Sequence, residues 1–406
     1  MIEDNIIQYD DEAKKIYFAG NITSFVFYNQ LFTALREHYR VNGVSVAPIF
    51  SFVHVVRFDP LVVPNLISLG FILKSIHKNS TCLEIASTNA TKFLDNGWFF
   101  KAVGSKSVYS EELDIDGSGI VHTIKQATGY ELYDFEPKML GFYNFSNVSK
   151  PYNPDHRVYV YNEDSYSYYS KFIQKDVSEE ELGIIRSEKY QELKPIVEKR
   201  YWNILKTLSD NNRCTILDIL TEIITNAVLY SGSHCSAMLQ TKDNITKISI
   251  SDCGVGFEYS FKKRQGKFGG DYTKVFKKFS SEEQEKYKNF LYIFEALQYS
   301  KEKSVARDNL YTLVAVVLRK NDNYGIEEGT IRIHYNDTQV IMTSKRCLKC
   351  NKFAPDVCAK CLLSHYNPAN EVSTSNLRFF DGRFSGIHVE VEIKFKDYEI
   401  KTNTLR

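Results

Sequence analysis

Three groups of residues in this 406-residue chain have types and spacings that do chemistry. The first is Glu222 with Asn226 in EIITNAVLYS, residues 222–231. Four residues make about one helical turn, so the acid and the amide share one side of a helix. Ile216, Ile219, Leu220, Ile223, Ala227 and Val228 recur at helical spacing as a broad apolar stripe on another side. Taken alone, such a polar pair is best explained as a solvated surface. The second group changes that weighing. In KISISDCGVGF, residues 247–257, side-chain alternation puts Asp252 on the same strand face as Ile248 and Ile250. A carboxylate on an apolar face needs a committed partner, because an unpaired buried charge is too costly. Gly254 and Gly256 follow at once and allow a sharp turn and a close backbone approach to a ligand. A buried acceptor beside an open glycine turn suits the exocyclic amine of a purine.

The third group is Cys347, Cys350, Cys358 and Cys361, a CxxC-x7-CxxC spacing inside the stretch 345–366. Four thiolates at this spacing close a tetrahedron around Zn²⁺ and leave no open coordination position, so a structural metal is expected. Disulfides are the alternative, disfavoured in a reducing cytosol. His365 reads as ordinary surface. Lys345, Arg346, Lys349, Lys352 and Lys360 make the knuckle basic, which permits nucleic-acid contact. Aromatic stacking residues are sparse there, so docking or stapling is favoured over nucleic acid.

These groups must be positioned by a chain with 43% hydrophobic and 14% aromatic residues, ample for full cores in two or three domains. The balance of 51 basic against 50 acidic residues supplies no global field for nucleic acid or anionic membrane. No charged start with a long apolar stretch is present and no run approaches eighteen apolar residues, so a cytoplasmic protein with no membrane span is expected. Cys82, Cys214, Cys235 and Cys253 read as reduced thiols. Strand and helix signals alternate over the first hundred residues: KKIYFAG as a strand, NITSFVFYNQLFTALREHY as an amphipathic helix, SVAPIFSFVHVVRF as one or two strands. PLVVPNLISLGFILKSIHKN follows as a helix with Pro60 or Pro64 in its first turn, then TCLEIAS as a strand. Such alternation favours a sheet with helices packed on it. Residues 1–145 are therefore assigned to an N-terminal α/β domain and 146–177, rich in Asn, Tyr, Ser and Pro, to a linker. Residues 178–406 form the second domain. Ser178 and Glu181 make a capping box that opens a helix in which Pro195 should cause a kink or split. GTIRIHYNDTQVIMT reads as a hairpin and GIHVEVEIKF as a last alternating strand.

The order ExxxNA, then DxGxGF at the end of a strand, resembles the GHKL ATPases, the family of gyrase, heat-shock chaperone, histidine kinase and MutL nucleotide-binding domains. The match rests on Glu222, Asn226 and Ala227, then on Asp252, Gly254, Gly256 and Phe257, and spans about residues 178–396. It implies ATP with Mg²⁺ as ligands. Asn226 would correspond to the amide that holds Mg²⁺, Glu222 to the acid that orients or deprotonates the attacking water, and Asp252 to the acceptor of the adenine amine. Gly254 and Gly256 would shape the wall of the site. Tyr230 and Ser231 stand where many kinase-like members have His-Ser, with Ser231 on the sugar-phosphate side. Lys267, in KKRQGKFGGDY, would sit either on a lid over the phosphates or on a solvated basic loop. Beyond it the family's second glycine box is missing: ARDNLYTLVAVVL offers only a helix start, with Asn309 as cap and phosphate donor and with Asp308 repelling phosphate. That departure puts turnover in doubt.

Residues 10–105 resemble the STAS-like domains of anti-sigma-factor antagonists, with Asp59, Pro60 and Leu61 where those carry a phosphorylatable serine. The resemblance implies a module that docks a protein partner without accepting phosphate. The expected fold class is thus α+β: a STAS-like α/β domain, then a GHKL (Bergerat-type) α/β sandwich with an inserted zinc knuckle. The expected function is ATP binding, as a slow Mg-dependent ATPase or an ATP-gated regulatory switch, with homodimerisation allowed. The alternatives are an anti-sigma-type serine/threonine protein kinase and a non-catalytic nucleotide-gated binding module.

Overall fold

The computed structural model describes residues 6–77, 81–85, 88–103, 124–125, 130–134, 155–161, 178–264, 273–302, 310–318, 325–344, 354–369 and 374–396. The chain folds as a mixed α/β protein around two sheets. The first sheet begins with β1 (Ile7–Asp10) and β2 (Lys15–Ile22), followed by helix α1 (Ser24–Asn42), which Thr23 caps by accepting from Val26 N. Strand β3 (Ile49–Phe58) leads through the single turn Pro60–Val62 into α2 (Val63–His77), then β4 (Thr81–Ile85), α3 (Asn89–Asn96) and α4 (Phe99–Val103). Strands β5 (Ile124–Lys125) and β6 (Tyr130–Asp134) complete the order β1-β2-β3-β4-β6-β5. The inner four strands are parallel and added in one direction. Right-handed crossovers along such a progression put every connecting helix on one face.

The second sheet, in the order β10-β11-β9-β8-β7, is antiparallel throughout. Its edge strand β7 (His156–Tyr161) lies inside the stretch read from sequence as a linker, so those residues are structural. Helix α5 (Glu179–Tyr201) follows, capped by Ser178, and runs on through Pro195 without splitting. Leu193 and Val197 beside that proline are buried in the core, and tertiary packing of this kind outweighs a single lost helix bond. Next come α6 (Asp210–Tyr230), β8 (Cys235–Lys242), β9 (Ile245–Asp252), α7 (Gly256–Arg264), α8 (Ser281–Lys286), α9 (Lys288–Glu302) and α10 (Leu310–Leu318). Strand β10 (Ile326–Thr343) folds back at Asn336, whose φ is +56°, and Ser344 N donates to Gly329 O (2.9 Å). That is the hairpin the sequence suggested, with Asn at the turn position that requires positive φ. Helix α11 (Pro355–Ser364) and β11 (Leu377–Phe395) end the described chain.

One face of this sheet carries α6, α9 and α10, with a core that includes Leu220, Ile250 and Val391. The other face carries α1 and α2 of the N-terminal half. The core of that half accordingly takes in Val158, Met238, Phe380 and Phe384 from the second sheet. The two helices are thus shared between two sheets. The segment 60–77 is long and apolar enough by length and composition to cross a bilayer, which the sequence reading did not anticipate, yet it is mostly buried in the protein. Helix α2 lies at the centre of this stack, with Leu66 and Ile67 fully covered. Truncation there should be felt by both layers: Leu66→Ala is expected to destabilise the protein by about 2–5 kcal/mol, read as a lower urea midpoint with a single unfolding transition for both halves.

Candidate functional site

Helix α6 is built to carry the Glu222–Asn226 pair. Ser209 caps its start by accepting from Asn212 N (3.4 Å), and Ile216, Leu217, Leu220, Ile224 and Val228 bury its apolar side. Glu222 is not solvated; it is 3% exposed. Its Oε1 accepts from the Arg186 guanidinium of α5 and from Asn226 Nδ2 (3.1 Å). The amide nitrogen of Asn226 is spent on that contact, which turns its carbonyl oxygen the other way. Arg186 gave no signal in the sequence, because one arginine on a long charged helix matches no motif.

Asp252 ends β9, the middle strand of the sheet, and is 2% exposed. Its Oδ1 accepts from Gly254 N (2.9 Å) and more weakly from Ile387 N (3.3 Å). Burial outweighs these two backbone donors and pushes the carboxyl up to about 7 from an ordinary 3.8. The glycine turn is clamped against the end of α6, for Val255 N donates to Ser231 O (3.0 Å). A Cβ at Gly254 would stand 2.0 Å from that same oxygen, so no other residue fits there without moving the backbone. Gly256 has φ +71° and lies against the Tyr335 ring, whose hydroxyl accepts from Glu258 N at the start of α7. Gly386 closes the third side with φ +99°, at a spot where a Cβ would lie 2.0 Å from Asp252 O. The sequence motif therefore names residues that converge in space, and it omits Tyr335 and Ile387, which come from distant strands.

Ser231 caps the C-terminus of α6 and is buried, with its hydroxyl accepting from Ser233 N (3.1 Å); Cys253 N in turn donates to Ser233 Oγ (3.1 Å). The serine thus organises the 231–233 turn. Lys267 and Asn309 lie outside the described residues, as do Cys347 and Cys350. The chain beyond 272 is tied down by Glu295 of α9, which accepts from Lys274 N (3.0 Å) and Val275 N (2.8 Å). At the start of α10, Tyr311 N donates to Ser300 Oγ (3.2 Å), so that donor is already engaged. Cys358 and Cys361 stand one turn apart on α11, the first buried and the second exposed. Among the described residues, no group of three or more His, Cys, Asp or Glu is placed to hold a metal ion.

No family model, no curated protein and no solved structure matches the chain.

The raised carboxyl of Asp252 fixes the sign of a pH effect. The folded protein holds a proton there between about pH 4 and 7 that the unfolded chain releases, so this contribution to stability is present below pH 4 and lost as pH rises to 7. Asp252→Asn keeps an acceptor for both backbone donors and removes the titration. It should flatten stability against pH in that window, by roughly 1.4 kcal/mol for each pH unit over which the two states differ by one proton. Chemical denaturation at pH 4.5, 5.5, 6.5 and 7.5 checks this, and equal slopes in both proteins would contradict it.

Proposed function

We propose that the chain is an ATP-binding regulatory switch with a GHKL-type nucleotide site between α6 and the glycine turn that follows β9, joined to a STAS-like N-terminal half. The observation that carries the reading is Asp252: a buried carboxylate at a strand end, one oxygen held by backbone donors, beside a glycine turn clamped to the helix that bears ExxxN. Its second oxygen is the acceptor for the adenine amine, and Gly254 and Gly256 bring the backbone close to the ring. Asn226 presents its amide oxygen for Mg²⁺, a hard cation that takes oxygen ligands and supplies the charge to offset the phosphates. The antiparallel sheet with its helical layer, ExxxN crossing it and DxGxG at the end of its middle strand, supports the same assignment.

Gating is favoured over rapid hydrolysis by Arg186. A guanidinium bonded to Glu222 Oε1 occupies an oxygen that an attacking water would need. The STAS-like reading is supported by the parallel strands with helices on one face, and by Asp59. This residue caps the turn Pro60–Val62 by accepting from Leu61 N and pairs with Lys247 of the second half (3.1 Å). A protein partner of the N-terminal half would meet the open face of the first sheet, where His54, Val56 and Arg57 are exposed. The knuckle is read as a structural Zn²⁺ site in which Cys358 and Cys361, at helical spacing, complete the set with Cys347 and Cys350.

Calorimetric titration of Mg-ATP decides the main reading. Asp252→Asn loses a charge-assisted bond of about 1.5–3 kcal/mol, so affinity should fall about 10- to 100-fold. Glu222→Gln should retain binding, with phosphate release low in both it and the wild type. A wild-type protein that neither takes up heat with Mg-ATP nor gains melting temperature would end the nucleotide assignment. For the knuckle, elemental analysis is expected to return one zinc per chain, and Cys358→Ser should release it and lower the melting temperature.

A further inference from the structure

The outer face of the second sheet sets polar groups among the apolar Val158, Met238 and Phe384, and it is covered by the N-terminal half. Along β9, Lys247, Ser249 and Ser251 alternate with Ile248, Ile250 and Asp252, and the first three meet the N-terminal half. Lys247 pairs with Asp59 (3.1 Å), Ser249 Oγ donates to Leu61 O (2.7 Å), and the Ser251 hydroxyl donates to Ser68 Oγ of α2 (2.7 Å). From β8, Ser236 Oγ donates to Pro64 O (3.0 Å); on β11, Glu390 Oε1 accepts from Ser24 Oγ of α1 (2.6 Å). His388, paired in register with Ser251, stacks on Phe384 at 4.0 Å and has Nδ1 2.6 Å from Ser251 Oγ.

This seam and the candidate site share the same two strand ends. Neighbouring residues of a strand point to opposite faces, so a single peptide unit separates Asp252 on the site side from Ser251 on the seam side. The same holds for Ile387, whose N–H reaches Asp252, and His388, whose ring faces α1 and α2. Gly386, with a Cβ position 2.0 Å from Asp252 O, leaves no slack between the two strands. Close-packed strand ends transmit a shift and do not absorb it.

We propose that ligand occupancy at Asp252 and docking of α2 on the sheet are positively coupled through the paired strand ends Ser251–Asp252 and Gly386–His388, which makes the N-terminal half the output of the switch. Ordering these strand ends at one face removes the entropic cost of ordering them at the other, which gives the coupling its positive sign. Linkage requires the effect to be reciprocal. The identity of the ligand rests on the nucleotide reading above; the coupling itself does not.

Hydrogen exchange on the full chain tests it in two arms. Without any nucleotide, Asp252→Ala, which removes the acceptor of Gly254 N and Ile387 N, should speed exchange of the amides of 61–73 severalfold relative to wild type, as Ser68→Ala does by breaking the seam directly. Unchanged exchange there in Asp252→Ala, with Ser68→Ala responding, overturns the coupling. With Mg-ATP, the same amides should slow in wild type, and the seam variants Ser68→Ala and Asp59→Asn, neither of which touches the site, should each bind Mg-ATP roughly 5-fold or more weakly. Equal Kd in all three proteins overturns the proposal. If wild type binds no Mg-ATP, the nucleotide reading fails and the first arm alone decides the coupling.

Discussion

Helix α2 is apolar around almost its whole circumference, and everything else in the architecture follows from having to cover it. A helix of this kind is stable only when enclosed. Parallel strands added in one direction leave all crossover helices on a single face of the first sheet, so that sheet covers only one side of α2. The second sheet covers the other. The two halves of the chain are therefore joined through a common helical layer, and two buried polar side chains of α2, Asn65 and Ser68, donate to or accept from Tyr28 and Ser251. Each such bond offsets a burial cost of about 1–3 kcal/mol, although Asn65 Oδ1 has no partner among the described residues.

The candidate site is held by a second constraint, the absence of side chains. Ser231 O, Asp252 O and the Tyr335 ring all occupy space where a Cβ of Gly254, Gly386 or Gly256 would be. The glycines let three elements converge on one carboxylate, and the water this excludes is what raises its affinity for a proton. The geometry that buries Asp252 also makes it costly to ionise.

Much of this was legible in the sequence, and the reason is local. Helical spacing of Ile216, Leu220 and Ile223, and alternation of Ile248, Ile250 and Asp252, depend only on neighbours along the chain, and both elements formed with the expected residues buried. What escaped reading was non-local. Strand β7 lay in a stretch with turn-forming composition, and only pairing with β8 makes it a strand. The cover over Lys247, Ser249, Ser251, His388 and Glu390 was not legible, because alternation gives the period of a sheet but not what lies against its polar side. Arg186 meets Glu222 only after α5 and α6 pack. The bond from Ser233 N to Ser231 Oγ likewise had no sequence signal.

The shared helical layer also bears on the order in which the chain is made. At ordinary rates of synthesis, β8 and β9, the strands that α2 packs on, follow it by on the order of 170 residues, or roughly 9 to 34 seconds. Throughout that interval a segment with the composition of a membrane span is open on one side, and the nascent chain must be shielded by a chaperone or by transient collapse. The N-terminal half thus waits for a hairpin translated well after it, and termination upstream of β9 would leave α2 uncovered on that side.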